Sequence, residues 1–222
     1  MSTRTLDHAP SRPPAALPRY AMAACAVLAP ALTIAGLLAH TDTAWLEGRE
    51  LVEAIAADPG AFTADTWLGP IATLLWVPAI LAVGRVARAR AGGIGLIGLI
   101  LAFALALPLA AEQNQLAYLA VRGGLDVDAT TALLDAAGTG AAALFGWSFL
   151  VGLLGLVLLG AAILRGRSAP WWTGVTLIVA AVGMVPSWQS GSIIAIVATW
   201  TILLIGFAGC AATLATHPGA RE

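Results

Sequence analysis

Four polar side chains, His40, Glu112, Gln115 and Gln189, stand at the edges of long apolar stretches, and they are the residues best suited to meet a solute. Glu112 and Gln115 are three positions apart, so a helix would carry them on one face, one turn from each other. With His40 and Gln189 they would line an outer vestibule, which is the chemistry of recognition or transport rather than of bond breaking. The plainer reading of "LAAEQNQLAYLAVR", residues 109–122, is a membrane boundary: a helix leaves the bilayer at Glu112, whose carboxylate reaches water or headgroups. That boundary is the expectation here.

Catalytic chemistry has no comparable candidates. His8, His40 and His217 fall in a tail or at the ends of apolar runs, and none is placed to activate a cysteine or serine. Zinc spacings, phosphate loops and the G-x-S-x-G elbow are missing from the sequence. Ten carboxylates occupy the segments between apolar runs, yet D-x-D-x-D-G is not among them and "DVD" at 126–128 stands alone. No catalytic residue, metal or cofactor is therefore expected.

The elements that must position the polar set follow from composition. The 222 residues are 59% hydrophobic and 10% charged, against about 25% charged in soluble domains. So few charges cannot clothe a water-facing surface. The apolar residues also arrive in blocks near the roughly 20 residues that a helix needs to cross the hydrocarbon core, where backbone groups must be satisfied internally. Six spans are expected, at about 20–39, 67–84, 93–111, 141–164, 171–187 and 192–214. They form one all-α polytopic domain over 20–214, between a disordered tail at 1–19 and a short tail at 215–222. The first span reads as an uncleaved signal anchor, because "GLLAHTDTAW" is a weak cleavage site.

Charge gives the direction. One set of connections holds nine arginines against Asp7 and Glu222, and the other holds Arg49 and Arg122 against ten acids. Because cytoplasmic loops retain basic residues, both termini are expected in the cytoplasm of a plasma-membrane protein. Trp67, Trp171, Trp172 and Trp188 fall at span ends, as interfacial rings should. Trp76, Trp147 and Trp200 fall deeper, where helix packing is the expected role.

Two outer segments read as short amphipathic helices. The first places Trp45, Leu51, Val52 and Ile55 opposite Glu47, Arg49, Glu50 and Glu53, is capped at Asp42 or Thr43, and stops at "DPG". The second starts at the capping candidates Asp126 and Asp128 and carries Leu133 and Leu134. Inside the spans, Pro30, Pro78 and Pro108 are expected to bend helices, and small residues such as Gly152 and Gly155 to bring them close. Thr33, Thr73, Ser148, Thr176, Thr199 and Thr201 can bond to their own helices. Cys25 and Cys210 lie in apolar runs and are expected to stay free. Residues 81–100 also align on 160–179, Arg88 with Arg167 and Gly95 with Gly174, as a hairpin duplication would.

The outer "IAADPGAF" segment and the pattern "LLGLVLLGAAILRGRSAPWWTGVTLIVAAVGMV" resemble a class of small multi-pass membrane proteins of actinobacteria. The resemblance extends over about residues 20–214, implies a bacterial plasma membrane, and supplies no catalytic residues. The function expected from all of this is a non-enzymatic scaffold or accessory membrane component. Its partners would be the lipid bilayer and another membrane protein or a second copy, with no nucleic acid. The alternative is a small transporter or ligand-sensing permease using the outer vestibule.

Overall fold

The computed structural model describes residues 16–39, 46–106, 113–139 and 143–216, and among them every regular element is helical. The order is α1 (Ala16–Ala39), α2 (Gly48–Ala57), α3 (Thr63–Ala102) with a 3-10 turn at Phe103–Ala106, α4 (Gln113–Arg122), α5 (Val127–Gly138), α6 (Ala143–Gly166), α7 (Trp171–Gln189) and α8 (Ile193–Thr216). Five helical stretches are long and apolar enough to cross a membrane: Leu17–Ala39, Thr66–Ala106, Trp147–Gly166, Trp171–Gln189 and Ile193–Thr216. The second of these is folded on itself.

Helix persists through Arg85, Arg88 and Arg90, where the charge pattern suggests a loop, and breaks only at Ala91 (φ −118°, ψ 19°) and Gly92 (φ 27°, ψ −98°). Glycine tolerates that backbone because it has no Cβ to clash. The chain then reverses, since a Cβ built on Gly84 would lie 3.1 Å from Leu99 Cγ. Pro78 sits within the first limb, and the departure from helical dihedrals in α3 is at Ala91–Gly92 instead. Proline removes one backbone donor, whereas this break turns the chain around.

Small residues set how closely the limbs approach. A Cβ on Gly155 of α6 would meet Ala102 Cα and Leu101 C at 2.7 Å, so α6 touches the backbone of the second limb of α3. Gly160 and Gly174 bring α6 and α7 together in the same way, each facing the other's carbonyl at 2.7 Å. Without a hydrophobic drive between helices in lipid, such van der Waals contact is a main source of association. The core built this way includes Ala26, Ile80, Leu156, Ile163, Leu177, Met184, Leu203 and Phe207, all fully buried. Trp76 meets Phe207 edge-on at 5.3 Å and Trp200 at 5.9 Å. Trp147, by contrast, is 66% exposed and faces away from this core.

Six of the described arginines, Arg19, Arg85, Arg88, Arg90, Arg165 and Arg167, collect at one end of the bundle. Arg19, early in α1, donates to the carbonyl of Ala215 near the end of α8 at 3.5 Å, and Arg90 donates to the carbonyl of Arg167 at 3.4 Å. The α6–α7 turn and the reversal in α3 are therefore neighbours. Arg167 closes α6 with φ 47°, its N–H bonded to Leu164 and that of Ser168 to Ile163. Glycine usually takes this position, and a residue with a Cβ there gives up about 1–2 kcal/mol.

Candidate functional site

At the opposite end α2, α4 and α5 pack on one another as a small cap. Its core is Leu51, Val52, Ile55, Phe62, Ala117, Tyr118 and Leu134, separate from the core of the long helices. α2 forms because its apolar residues fall on one face while Glu47, Arg49, Glu50 and Glu53 take the other. It starts at Glu47 without a side-chain cap; Asp42 and Thr43, the expected caps, lie outside the described residues. α5 starts as expected at Asp126, whose carboxylate accepts from the N–H of Ala129 at 2.7 Å. α4 is a third short helix beyond the two anticipated, and it fills the space between them with Ala117 and Tyr118.

Two polar ties hold the cap. Arg49 Nη1 donates to Asp128 Oδ1 at 2.7 Å and its Nε to Glu53 Oε1 at 2.8 Å, clamping α2 to α5. Those bonds, Asp128 first, raise the guanidinium above its ordinary pKa, so Arg49 stays charged throughout the usable pH range. The Tyr118 hydroxyl and Thr63 Oγ1 lie 3.2 Å apart, linking α4 to the first turn of α3. Sequence signals for these ties are uneven. Arg49 and Glu53 have helical spacing, but Asp128 is 79 residues from Arg49, and nothing local pairs Tyr118 with Thr63.

Of the four predicted vestibule residues, His40 and Glu112 lie outside the described residues. Gln115 is half-buried on α4, and its Nε2 is buried without a hydrogen-bond partner. It lines a crevice with Phe62, Thr66, Asn114 and Tyr118 that is too narrow for a water-sized molecule. Gln189 is exposed at the end of α7, beside the turn where Ser190 donates to the carbonyl of Ser187. α4 packs on α2, α5 and the start of α3, whereas α7 packs on α6 and α8. Gln115 and Gln189 thus belong to different packing groups.

Within the long helices several hydroxyls bond to their own backbones, while Thr173 Oγ1 of α7 is buried without a partner. Thr33, Thr73, Thr176, Thr199 and Thr201 each donate to the carbonyl four residues earlier, at 2.7–3.1 Å. Thr33 also accepts from Trp76 Nε1 at 3.4 Å. Trp200 Nε1 is buried and unpartnered in the same aromatic cluster. Cys25 and Cys210 are free thiols, as expected. Among the described residues no three His, Cys, Asp or Glu side chains converge as metal ligands would. Comparison with family profiles, curated proteins and solved structures finds no match to this chain.

Proposed function

We propose that this chain is a non-enzymatic integral protein of the plasma membrane that scaffolds or accompanies other membrane components. In this reading it crosses six times, the folded-back α3 counting twice, and keeps both termini in the cytoplasm. The kinship with small actinobacterial multi-pass proteins belongs to the same proposal. One observation carries the functional reading. Among the described residues, charged side chains occupy the two ends of the bundle, while the interior between them is filled mainly by apolar and small residues, with hydroxyls such as Thr73 and Thr199 bonded to their own helix. Solute pathways in membranes generally depend on ionisable groups inside the bundle. The outward faces, with Leu74, Ile100, Val182 and Ile194 all more than 60% exposed, offer lipid or another helix an apolar surface.

Orientation is supported by the gathering of Arg19, Arg85, Arg88, Arg90, Arg165 and Arg167 at one end and of the acidic cap at the other. The test pairs crosslinking in native membranes with flux in proteoliposomes. A crosslinked partner or second copy without solute flux is expected. A homogeneous monomer showing substrate-dependent flux would overturn the reading.

The second reading, a small transporter or ligand-sensing permease, draws on one feature, the unpartnered buried amide of Gln115. If a solute satisfies that amide, Gln115→Ala removes a ligand-induced thermal shift that the parent protein shows. No shift in the parent with any candidate solute counts against it.

A further inference from the structure

The arginine-rich end carries a juxtaposition that the fold does not need. Arg90 reaches the carbonyl of Arg167, and a Cβ on the intervening Gly166 would stand 3.0 Å from Arg90 Cβ, so the two arginines share one small surface. Arg88 and Arg165 each stand two residues earlier in the chain, and all four are exposed. The ion pairs found among the described residues are those of Arg49, at the far end, and no described carboxylate pairs with this group. Like charges held together without a counter-charge repel. An anion placed beside them relieves that repulsion and is attracted by both charges.

Three further observations say which anion. Ser168 Oγ, next to Arg167, is buried without a partner and can donate to an oxygen acceptor. Trp171 and Trp172 follow within four residues, 71% and 38% exposed, and such rings sit at headgroup depth. The αL backbone of Arg167 puts a long cationic side chain where glycine would fit without strain. A planar guanidinium matches the oxygens of a phosphate, and basic pockets between transmembrane helices are suited to anionic headgroups.

We propose that Arg90 and Arg167, with Ser168 beside them, bind the phosphate of an anionic phospholipid headgroup, pinning the reversal of α3 to the α6–α7 turn, while Arg88 and Arg165 add to the positive field of this end. This rests on the membrane reading given above. A free inorganic phosphate would present the same oxygens, so the experiment separates the two.

The full chain is reconstituted in nanodiscs of phosphatidylcholine alone or with phosphatidylglycerol, and retained lipid is counted by mass spectrometry after detergent extraction. Selective retention of phosphatidylglycerol is expected, falling about fivefold for each arginine removed in R90Q and R167Q. Retention should be unchanged in R49Q, at the other end of the bundle. R167G relieves the left-handed backbone, so it should melt no lower than the parent in phosphatidylcholine and yet lose the preference. Equal retention of both lipids, or a preference undiminished in R167G and R90Q, overturns the proposal. So does loss of the retained phosphatidylglycerol to an excess of inorganic phosphate, which reassigns the site to the free ion. Incorporation into neither type of nanodisc would instead sink the membrane reading together with this inference.

Discussion

Leu99 packs directly on Gly84, with Leu99 Cδ2 only 3.0 Å from where a Cβ of residue 84 would stand. In an unbroken helix these positions would be about 22 Å apart. The contact therefore exists only because Ala91 and Gly92 turn the chain back. Gly84→Val should lower the thermal stability of the detergent-solubilised protein by about 1 kcal/mol, since the obstacle is the movable end of a leucine. Leu99→Ala in the same chain should return part of the loss. A valine that costs nothing, or a loss that Leu99→Ala does not touch, would contradict the hairpin.

The α6 interface is less forgiving. At Gly155 the added carbon meets the backbone of Leu101 and Ala102, which cannot rotate away. Gly155→Ala should destabilise by about 3 kcal/mol, at the upper end of overpacking effects. Gly183 is the control within the same bundle: its nearest neighbour would be Thr199 Cγ2 at 3.7 Å, an ordinary contact. There the better helix propensity of alanine should leave stability unchanged or raise it by up to about 1 kcal/mol. Melting curves for the two variants decide whether the glycines act through close approach or merely through composition.

In the cap, Asp126→Ala removes the acceptor for Ala129 N–H and should cost about 1 kcal/mol in the opening of α5. Hydrogen exchange at the first turn of α5 would register it, and unchanged protection there would deny the cap its role. Arg49→Gln should loosen α2 from α5 and speed proteolysis in the cap, leaving the long helices intact. Because the bound guanidinium holds its proton more tightly than a free one, the contribution of Arg49 is fully present below the ordinary arginine pKa and is lost only as pH rises through its elevated value. Base within the working range should therefore do little, whereas added salt should weaken this exposed clamp. Cleavage of the parent that is insensitive to salt would argue that the apolar cap core alone holds α2.

The all-helical, apolar character was legible because it rests on local quantities: block length, hydropathy and the face pattern of α2 and α5. So was the capping role of Asp126, a short polar residue just ahead of a periodic run. The turn at Ala91–Gly92 was harder to see, because three arginines read as a loop although arginine is a good helix former. Helix continues until glycine permits the break. α4 lies just past the expected exit of a helix from the bilayer at Glu112, and its burial depends on α2 and α5, brought in from distant parts of the chain. Two of the four vestibule residues, His40 and Glu112, lie outside the described residues, and packing places the other two. Gln115 and Gln189 share chemistry and an end of the molecule in the span map, but packing assigns them to separate groups. Periodicity constrains which residues are buried; it does not constrain which buried faces meet.

The two charged ends also give a direct test of direction. Ala89 is exposed on the arginine-rich side, one residue before Arg90, and Asp135 is exposed on α5 in the acidic cap. A background lacking Cys25 and Cys210 is needed first; Cys25→Ala and Cys210→Ala remove small apolar contacts and should leave the fold standing. In intact cells a membrane-impermeant thiol reagent should then label Asp135→Cys, while Ala89→Cys should react only after the membrane is opened. The reason is electrostatic: basic loops are retained on the cytoplasmic side during insertion, and acidic ones contribute little to that choice. The reverse pattern would place the termini outside and move the arginine cluster to the outer leaflet. Labelling of both from the same side would mean that an odd number of crossings is wrongly assigned between residues 89 and 135, where the proposed six-span reading has the second limb of α3 cross the bilayer.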